Sequence, residues 1–313
     1  MPTFMELMEL VANQGADVHA LRQGFIEQLH RKNGRALILY AANPRPTRTG
    51  VRLAMVNDDD IQALMEVLCG VKERALDLII DSNGGDPLAA DAVVNYLREK
   101  FDHVRIIVPR RAMSAATMIA CGGDEIMMAR HGFLGPIDLQ IGLDGEMVSA
   151  HEVLEQFELV RGTFGDDMKS FWDGPGMEYF PVLLVQCQNA LDVGADVAAQ
   201  HLQAHMFRGR ADGEKQANEV AANLADHGKH KAHGRRLSRS YIRSLGLNVT
   251  ELEGDQEMQD LVLSIFHCGL IAFQFNPALM KLVQNHAGRC WWVIDSNYRS
   301  RPTPPDPSAA GEP

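Results

Sequence analysis

The sequence has few of the features that mark disulfide-rich, zinc-binding, secreted or membrane-spanning proteins. Its five cysteines are odd in number and no pair has CxxC spacing, so we expect free thiols in a reducing cytoplasm rather than a disulfide framework or a zinc site. No run of about 18 apolar residues occurs, and the N-terminus lacks the basic start and apolar run of a signal peptide. We therefore expect a cytoplasmic protein without a membrane-spanning segment.

The sequence also has fewer positively than negatively charged residues. The chain has 30 Lys and Arg residues against 41 Asp and Glu residues, which gives a formal net charge of -11. An acidic protein has little reason to bind nucleic acid or an anionic membrane surface, so we expect neither partner. Hydrophobic residues make up 46% of the chain, which is ordinary for a soluble protein with a sizeable core.

Short apolar runs alternate with segments of helical spacing from residue 35 to residue 129. Such runs predict strands at 35–42, 75–81, 104–109 and 124–129. Continuous apolar strands separated by helices indicate a mostly parallel sheet that is covered on both faces. The fold class is therefore α/β.

Helical spacing dominates the second half of the chain. The predicted helices are 150–163, 179–206, 214–226, 238–246 and 256–273. We divide the chain into an N-terminal helical segment (1–34), an α/β core (35–145), a helical extension that completes the fold (146–300) and a disordered Pro-rich tail (301–313).

Two polar loops directly follow predicted strands, where ligands bind in parallel sheets. The first, "SNGGD", contains Gly84 and Gly85, whose backbone N–H groups can point into a site and stabilise an oxyanion. The second, "RRAMS", ends in Ser114, a possible nucleophile. A simple strand–helix turn at the glycines and a helix N-cap or helix-packing role for Ser114 are the structural alternatives.

Three stretches of this region are similar to a known superfamily. "LIIDSNGGDPLAADAVVNYL", "VPRRAMSAATMIACGGDEIMM" and "GFLGPIDLQIG" resemble the ClpP/crotonase superfamily and, within it, the serine dehydrogenase proteinase family. The resemblance covers about residues 35–145. It implies a ClpP/crotonase-like spiral core and a serine peptidase that acts on polypeptides, needs no cofactor or metal and forms homo-oligomers.

The resemblance also implies roles for seven residues. They are Ser114, Asp138 and His233 as the catalytic triad, Gly85 and Ala115 as the oxyanion hole, and Gly84 and Met113 as substrate-binding residues. His233 matches the family less closely than Ser114 does, so His131, His151, Lys169 and Lys215 stay open as alternative bases.

The chain departs from the family pattern near both loops. Asn83 stands where the family has proline, and Arg110 and Arg111 precede the serine segment. Three roles are open for these arginines: they bind a substrate carboxylate, they pair with Asp86, or they form an ordinary surface pair. The departures leave two other functions open, a non-catalytic scaffold with this fold and a crotonase-like acyl-CoA enzyme.

Overall fold

The computed structural model describes residues 2–137, 140–143, 146–164, 167, 169–170, 173–174, 181–232 and 234–298. Its helices are α1 (Phe4–Ala12), α2 (Val18–Asn33), α3 (Val51–Ala54), α4 (Asp59–Val67), α5 (Pro87–Lys100), α6 (Ala115–Cys121), α7 (Ala150–Phe164), α8 (Pro181–Ala204), α9 (Gly213–Ala225), α10 (His227–His230), α11 (Arg239–Ser244) and α12 (Gln256–Phe275). Its strands are β1 (Ala36–Ala42), β2 (Ala75–Asp81), β3 (His103–Val108), β4 (Arg111–Ala112), β5 (Glu125–Met128), β6 (Phe133–Leu134), β7 (Gln140–Leu143), β8 (Glu146–Ser149), β9 (Leu237–Ser238), β10 (Val249–Glu251), β11 (Leu279–Asn285) and β12 (Cys290–Ile294).

A seven-stranded sheet forms the centre of the molecule, in the order β10-β5-β3-β2-β1-β11-β12. The strands from β10 to β1 are parallel, and β11 and β12 add an antiparallel edge. In the centre Leu39 pairs with Ile79, and Leu78 pairs with Ile106. The mostly parallel α/β fold expected from the sequence is confirmed.

Helices cover both faces of this sheet, because its strands are apolar on both sides. On one face the core includes residues of α4, α5 and α6 together with residues of α8 and α9. On the other face it includes residues of α1, α2 and α12. The central strands are almost completely buried as a result.

Helix α12 is the most apolar long helix of the described chain. It has 20 residues and a mean hydropathy of 1.3 in its most apolar window, so length and composition alone would let it cross a membrane. However, 67% of that window is buried inside the protein, where the helix packs against α2. This arrangement is typical of the core helix of a globular domain.

The structure adds two details to the sequence-based expectation. The N-terminal helical segment consists of α1 and α2, and Gly15, whose φ is 70°, lies between them. The region after residue 145 contains strands β10, β11 and β12 in addition to its helices, and all three join the central sheet. Asp138, His233 and the tail 301–313 lie outside the described residues.

Candidate functional site

The two polar loops lie side by side at the carboxyl ends of neighbouring strands. β2 and β3 pair in parallel, so the chain leaves both strands at the same edge of the sheet. Beyond the strands, Ser82 forms a parallel bridge with Ala112, and the Met113 N–H donates to the Ser82 carbonyl at 3.1 Å. The glycine loop is thereby fixed against the turn that carries Ser114.

Ser114 has an unusual backbone conformation. Its φ is 49° and its ψ is -118°, in a region that L-residues rarely adopt and that resembles the first central position of a type II′ turn. Its side chain makes no capping hydrogen bond to helix α6, so the structural alternative of an ordinary N-cap is wrong. Strain of this kind is typical of functional sites and costs about 1–3 kcal/mol.

Buried contacts hold the Ser114 turn from below. The Thr117 hydroxyl lies 2.8 Å from the Ala112 carbonyl and 2.9 Å from the Gly135 carbonyl. Gly135 approaches so closely that a Cβ there would lie 2.7 Å from Cε of Met113. The strained conformation is therefore maintained by tertiary contacts around the turn.

Neighbouring atoms approach Gly84 and Gly85 too closely for a side chain, and the backbone conformation also favours glycine. A Cβ on Gly84, whose φ is 93°, would lie 2.4 Å from the Met113 carbonyl oxygen and 2.8 Å from Cβ of Ser114. A Cβ on Gly85 would lie 2.2 Å from the Val56 carbonyl oxygen. A side chain at Gly84 would force the glycine loop away from the Ser114 turn, and a side chain at Gly85 would force it away from Val56.

A parallel bridge between Val56 and Gly85 orients the glycine loop. Its hydrogen bonds run from the Val56 N–H to the Gly84 carbonyl and from the Asp86 N–H to the Val56 carbonyl, each 2.9 Å long. The Gly85 N–H takes no part in them and points away from Val56. Ala115 is the first residue of α6, so its N–H has no acceptor within the helix. Both groups can donate to an oxyanion.

A cavity of about 410 Å³ opens above this turn. We call it the Ser114 cavity. Its described lining residues are Pro46, Val51, Ala54, Met55, Asn83, Gly85, Arg111, Met113, Ser114, Phe133, Gln140, Gly234 and Arg236. Ser114 is 6% exposed, so a substrate would reach it only through this cavity. Patterns in the sequence did not predict that Pro46, Val51, Ala54 and Met55 form one wall of the site.

A general base for Ser114 is not found among the described residues that line the Ser114 cavity. Asp138 and His233 lie outside the described residues, and among the described lining residues there is neither a histidine nor a lysine. His131 is exposed and His151 stacks on His227 with ring centroids 4.8 Å apart. Lys169 and Lys215 are exposed on helices. None of these four alternatives lines the cavity.

The charges next to the cavity are arranged differently from the sequence-based expectation. Asp86 caps helix α5, where it accepts from the Leu88 N–H at 2.7 Å, so the alternative in which it pairs with the arginines is wrong. Arg110 instead forms a two-point ion pair with the buried Asp81, through contacts of 3.0 and 2.5 Å. Nε of Arg111 lies 3.7 Å from the same carboxylate, beyond hydrogen-bond distance.

A second cluster of ionisable groups lies elsewhere, where His30, Glu73 and His286 meet. Nε2 of His286 lies 3.3 Å from the Glu73 carboxylate, and that of His30 lies 3.9 Å away. The two imidazoles stack with centroids 4.0 Å apart and planes 19° apart. The lone pair of an imidazole nitrogen lies in the plane of its ring. In this stack the lone pairs of the two rings are therefore nearly parallel and do not converge on one point. One metal ion could bind both imidazoles only after one ring rotated. Burial and then the nearby His30 lower the pKa of His286.

Comparison with protein families agrees with the motifs. Residues 48–160 match the family model of the ClpP-like SDH-type serine proteinases. This match confirms the resemblance read from the sequence, and it includes the glycine loop, the Ser114 turn and part of the cavity wall. At the level of the family, a serine proteinase is supported.

Individual relatives are similar over shorter stretches. Two uncharacterized proteins of Methanocaldococcus jannaschii are 38% and 34% identical to the chain over 85 residues, which is 27% of this chain. The matches span 30% and 29% of those relatives. Among solved structures, a mutant of the 1510-N membrane-bound stomatin-specific protease is 21% identical over 33% of this chain and 54% of that one, with a TM-score of 0.27. A likeness at this level does not bear on the site.

Proposed function

We propose that this chain, whose residues 48–160 match the ClpP-like SDH-type serine proteinases, is a serine peptidase with Ser114 as its nucleophile. One observation carries the proposal. Ser114 is held in a strained conformation at a strand–helix junction and lines a cavity, beside two backbone N–H groups that are suited to an oxyanion. A packing or capping serine needs neither the strain nor the donors.

The proposed reaction begins when Oγ of Ser114 attacks the carbonyl carbon of the scissile peptide bond. The carbonyl oxygen takes up negative charge, which the N–H groups of Gly85 and Ala115 stabilise. The C–N bond then breaks, the amine leaves with a proton, and an acyl-enzyme ester remains on Ser114. Water hydrolyses the ester and restores the serine hydroxyl.

A base must take the Ser114 proton and deliver it to the leaving amine. His233 remains our proposal for this base and Asp138 for its orienting carboxylate. In support, Gly234, which directly follows His233, and Gln140, two positions after Asp138, both line the Ser114 cavity. The substrate is proposed to be a polypeptide bound along Gly84 and Met113, and the active form a cytoplasmic homo-oligomer.

The test of this proposal is covalent labelling with a fluorophosphonate probe, followed by mass spectrometry of the adduct. We expect the probe to add once, at Ser114, because only an activated serine displaces its leaving group. The Ser114→Ala variant should lose the adduct, whereas Ser240→Ala, at an exposed serine, should keep it. A folded wild-type protein that takes up no probe would contradict the proposal and favour a non-catalytic scaffold.

Replacing Gly85 with alanine should slow labelling by about 10²-fold, because the donor it carries would be displaced. The new Cβ would lie 2.2 Å from the Val56 carbonyl oxygen, so the loop must move away from Val56. Gly24→Ala is the matched control, since a Cβ there meets no atom within 4 Å. The measurement is the labelling rate together with the melting temperature of each variant. A Gly85→Ala protein that labels at the wild-type rate would exclude Gly85 from the oxyanion hole.

A further inference from the structure

The described residues that line the Ser114 cavity carry positive charge without a matching negative charge. Its described lining residues include two arginines, Arg111 and Arg236, and no aspartate or glutamate. The remaining side chains are mostly apolar, among them those of Val51, Met55 and Phe133. In an otherwise acidic protein of net charge -11, this local concentration of cations needs an explanation.

Among the described residues, Arg111 shares its counter-ion, Asp81, with Arg110. Its side chain is 17% exposed, and its Nε and Nη2 atoms are buried without a hydrogen-bond partner in the described part of the chain. The one nearby described carboxylate, Asp81, is already held by both Nε and Nη2 of Arg110. Burial, and then repulsion from Arg110 and Arg236, lower the pKa of Arg111 against the attraction of Asp81. One carboxylate between two guanidinium groups leaves positive charge that the described residues around Arg111 do not compensate.

Arg236 supplies a second, accessible guanidinium on the same side of the cavity. It lies over the Phe133 ring, with Cζ 4.9 Å from the ring centroid, and it is exposed. Phe133 pairs directly with Arg111 in the small sheet of β4, β6 and β9. Stacking on Phe133 therefore brings the guanidinium of Arg236 close to Arg111. A planar guanidinium held in this way is well suited to a carboxylate.

We propose that Arg111 and Arg236 form a carboxylate-binding subsite beside Ser114, so that the preferred polypeptide carries a negative charge close to the scissile bond. The inference rests on the proposed function and names its substrate class. Arg236 contacts the carboxylate directly. Arg111, which is buried behind Arg236, attracts the carboxylate through its uncompensated charge. The carboxylate belongs either to an aspartate or glutamate side chain or to a free C-terminus.

Matched fluorogenic peptides test the preference. In one series glutamate replaces glutamine at each position on either side of the cleaved bond, and in the other a free C-terminus replaces an amide. We expect kcat/KM of the wild type to be about tenfold higher for the charged peptide at one position. The preferred series tells whether the carboxylate comes from a side chain or from the C-terminus.

Variants show whether the arginines cause the preference. Arg236→Gln and Arg111→Gln should each reduce it severalfold, and Arg236→Lys should restore it only partly, because lysine lacks the planar fork. Arg31→Gln, which removes an exposed arginine of α2, is the matched control and should keep the full preference. Equal rates for charged and neutral peptides at every position would overturn the inference about the subsite. They would not contradict the proposed peptidase activity.

A binding measurement separates this inference from the proposed function. The same peptides, labelled with a fluorophore, are titrated with the Ser114→Ala protein and followed by fluorescence polarisation. Tighter binding of a charged peptide that is lost in Ser114→Ala/Arg236→Gln supports the subsite, even if the wild type cleaves nothing and takes up no fluorophosphonate. Binding that does not depend on the carboxylate, or no binding of either peptide, would refute it.

Discussion

The Ser114→Ala protein is expected to hydrolyse peptides more slowly than the wild type by a factor on the order of 10⁶. Without Oγ no acyl-enzyme forms, and only the binding of substrate and the N–H groups of Gly85 and Ala115 remain to assist direct attack by water. The measurement is single-turnover hydrolysis of a fluorogenic peptide at saturating enzyme. Ser240→Ala serves again as the control. If the Ser114→Ala protein keeps more than about a tenth of the wild-type rate, another residue is the nucleophile.

A companion variant distinguishes a functional serine from a packed one. Glycine adopts the φ of 49° and ψ of -118° seen at Ser114 at little steric cost. The Ser114→Gly protein should therefore be inactive and more stable than the wild type by about 1 kcal/mol. Urea unfolding measures this difference. A loss of stability in Ser114→Gly would mean that the hydroxyl contributes to packing, against the proposed role.

Replacing Lys281 with methionine should destabilise the protein by about 3–5 kcal/mol, because a buried charge would lose its partner. The side chains of Lys281 and Asp60 are 0% and 1% exposed, and Nζ lies 2.6 Å from the Asp60 carboxylate. The Tyr40 hydroxyl donates to the same carboxylate at 2.8 Å. Burial, as the main cause, lowers the pKa of Lys281 although Asp60 opposes the shift.

Equilibrium unfolding in urea measures this effect against a matched surface pair. Nη1 of Arg289 lies 2.8 Å from the Glu66 carboxylate, but both side chains are nearly half exposed, so Arg289→Met should cost less than about 1 kcal/mol. Removing both buried partners in Lys281→Met/Asp60→Leu should recover most of the lost stability. If Lys281→Met costs no more than Arg289→Met, the buried pair is not the strong contact described above.

The same lysine links the edge of the sheet to the site. Its Nζ donates to the Met55 carbonyl at 2.8 Å, and Met55 lines the Ser114 cavity. The next residue, Val56, forms the bridge to Gly85. We therefore expect Lys281→Met also to slow fluorophosphonate labelling, in proportion to the loosening of residues 51–56.

The strand that carries Lys281 shows why part of the fold could not be predicted from the sequence. β11 is buried along its whole length, yet it contains Lys281, Gln284 and Asn285, which break the apolar pattern of a buried strand. Each finds a distant polar partner: Asp60 for Lys281, Arg22 for Gln284 and the Val67 carbonyl for Asn285. Local periodicity carries no information about such partners.

The pairing of the arginines gives a second example. Asp86, which was one possible partner of the arginines, is nearer to Arg110 in the sequence than Asp81 is. In the structure Asp86 caps α5, while Asp81 lies at the end of β2 beside the chain that leaves β3. Which carboxylate meets the arginines depends on the register of parallel strands, which the sequence alone does not specify.

What the sequence by itself determined was the local order of the site. Apolar runs and helical spacing predicted strands β1, β2, β3 and β5, and the residues after β2 and β3 predicted a glycine loop and a serine turn at one sheet edge. These features depend on contacts between residues close in the chain and on the rule that parallel strands end together. Asp138 and His233 remain predictions from the resemblance.

The tertiary structure alone decided what surrounds Ser114. The strain at its φ of 49° is maintained by Thr117 and Gly135, and the orientation of Gly85 is set by Val56. The charge of the cavity depends on Arg236 reaching Phe133 from more than a hundred positions away in the chain. All of these are close contacts between distant segments, and their energies exist only once the chain is packed.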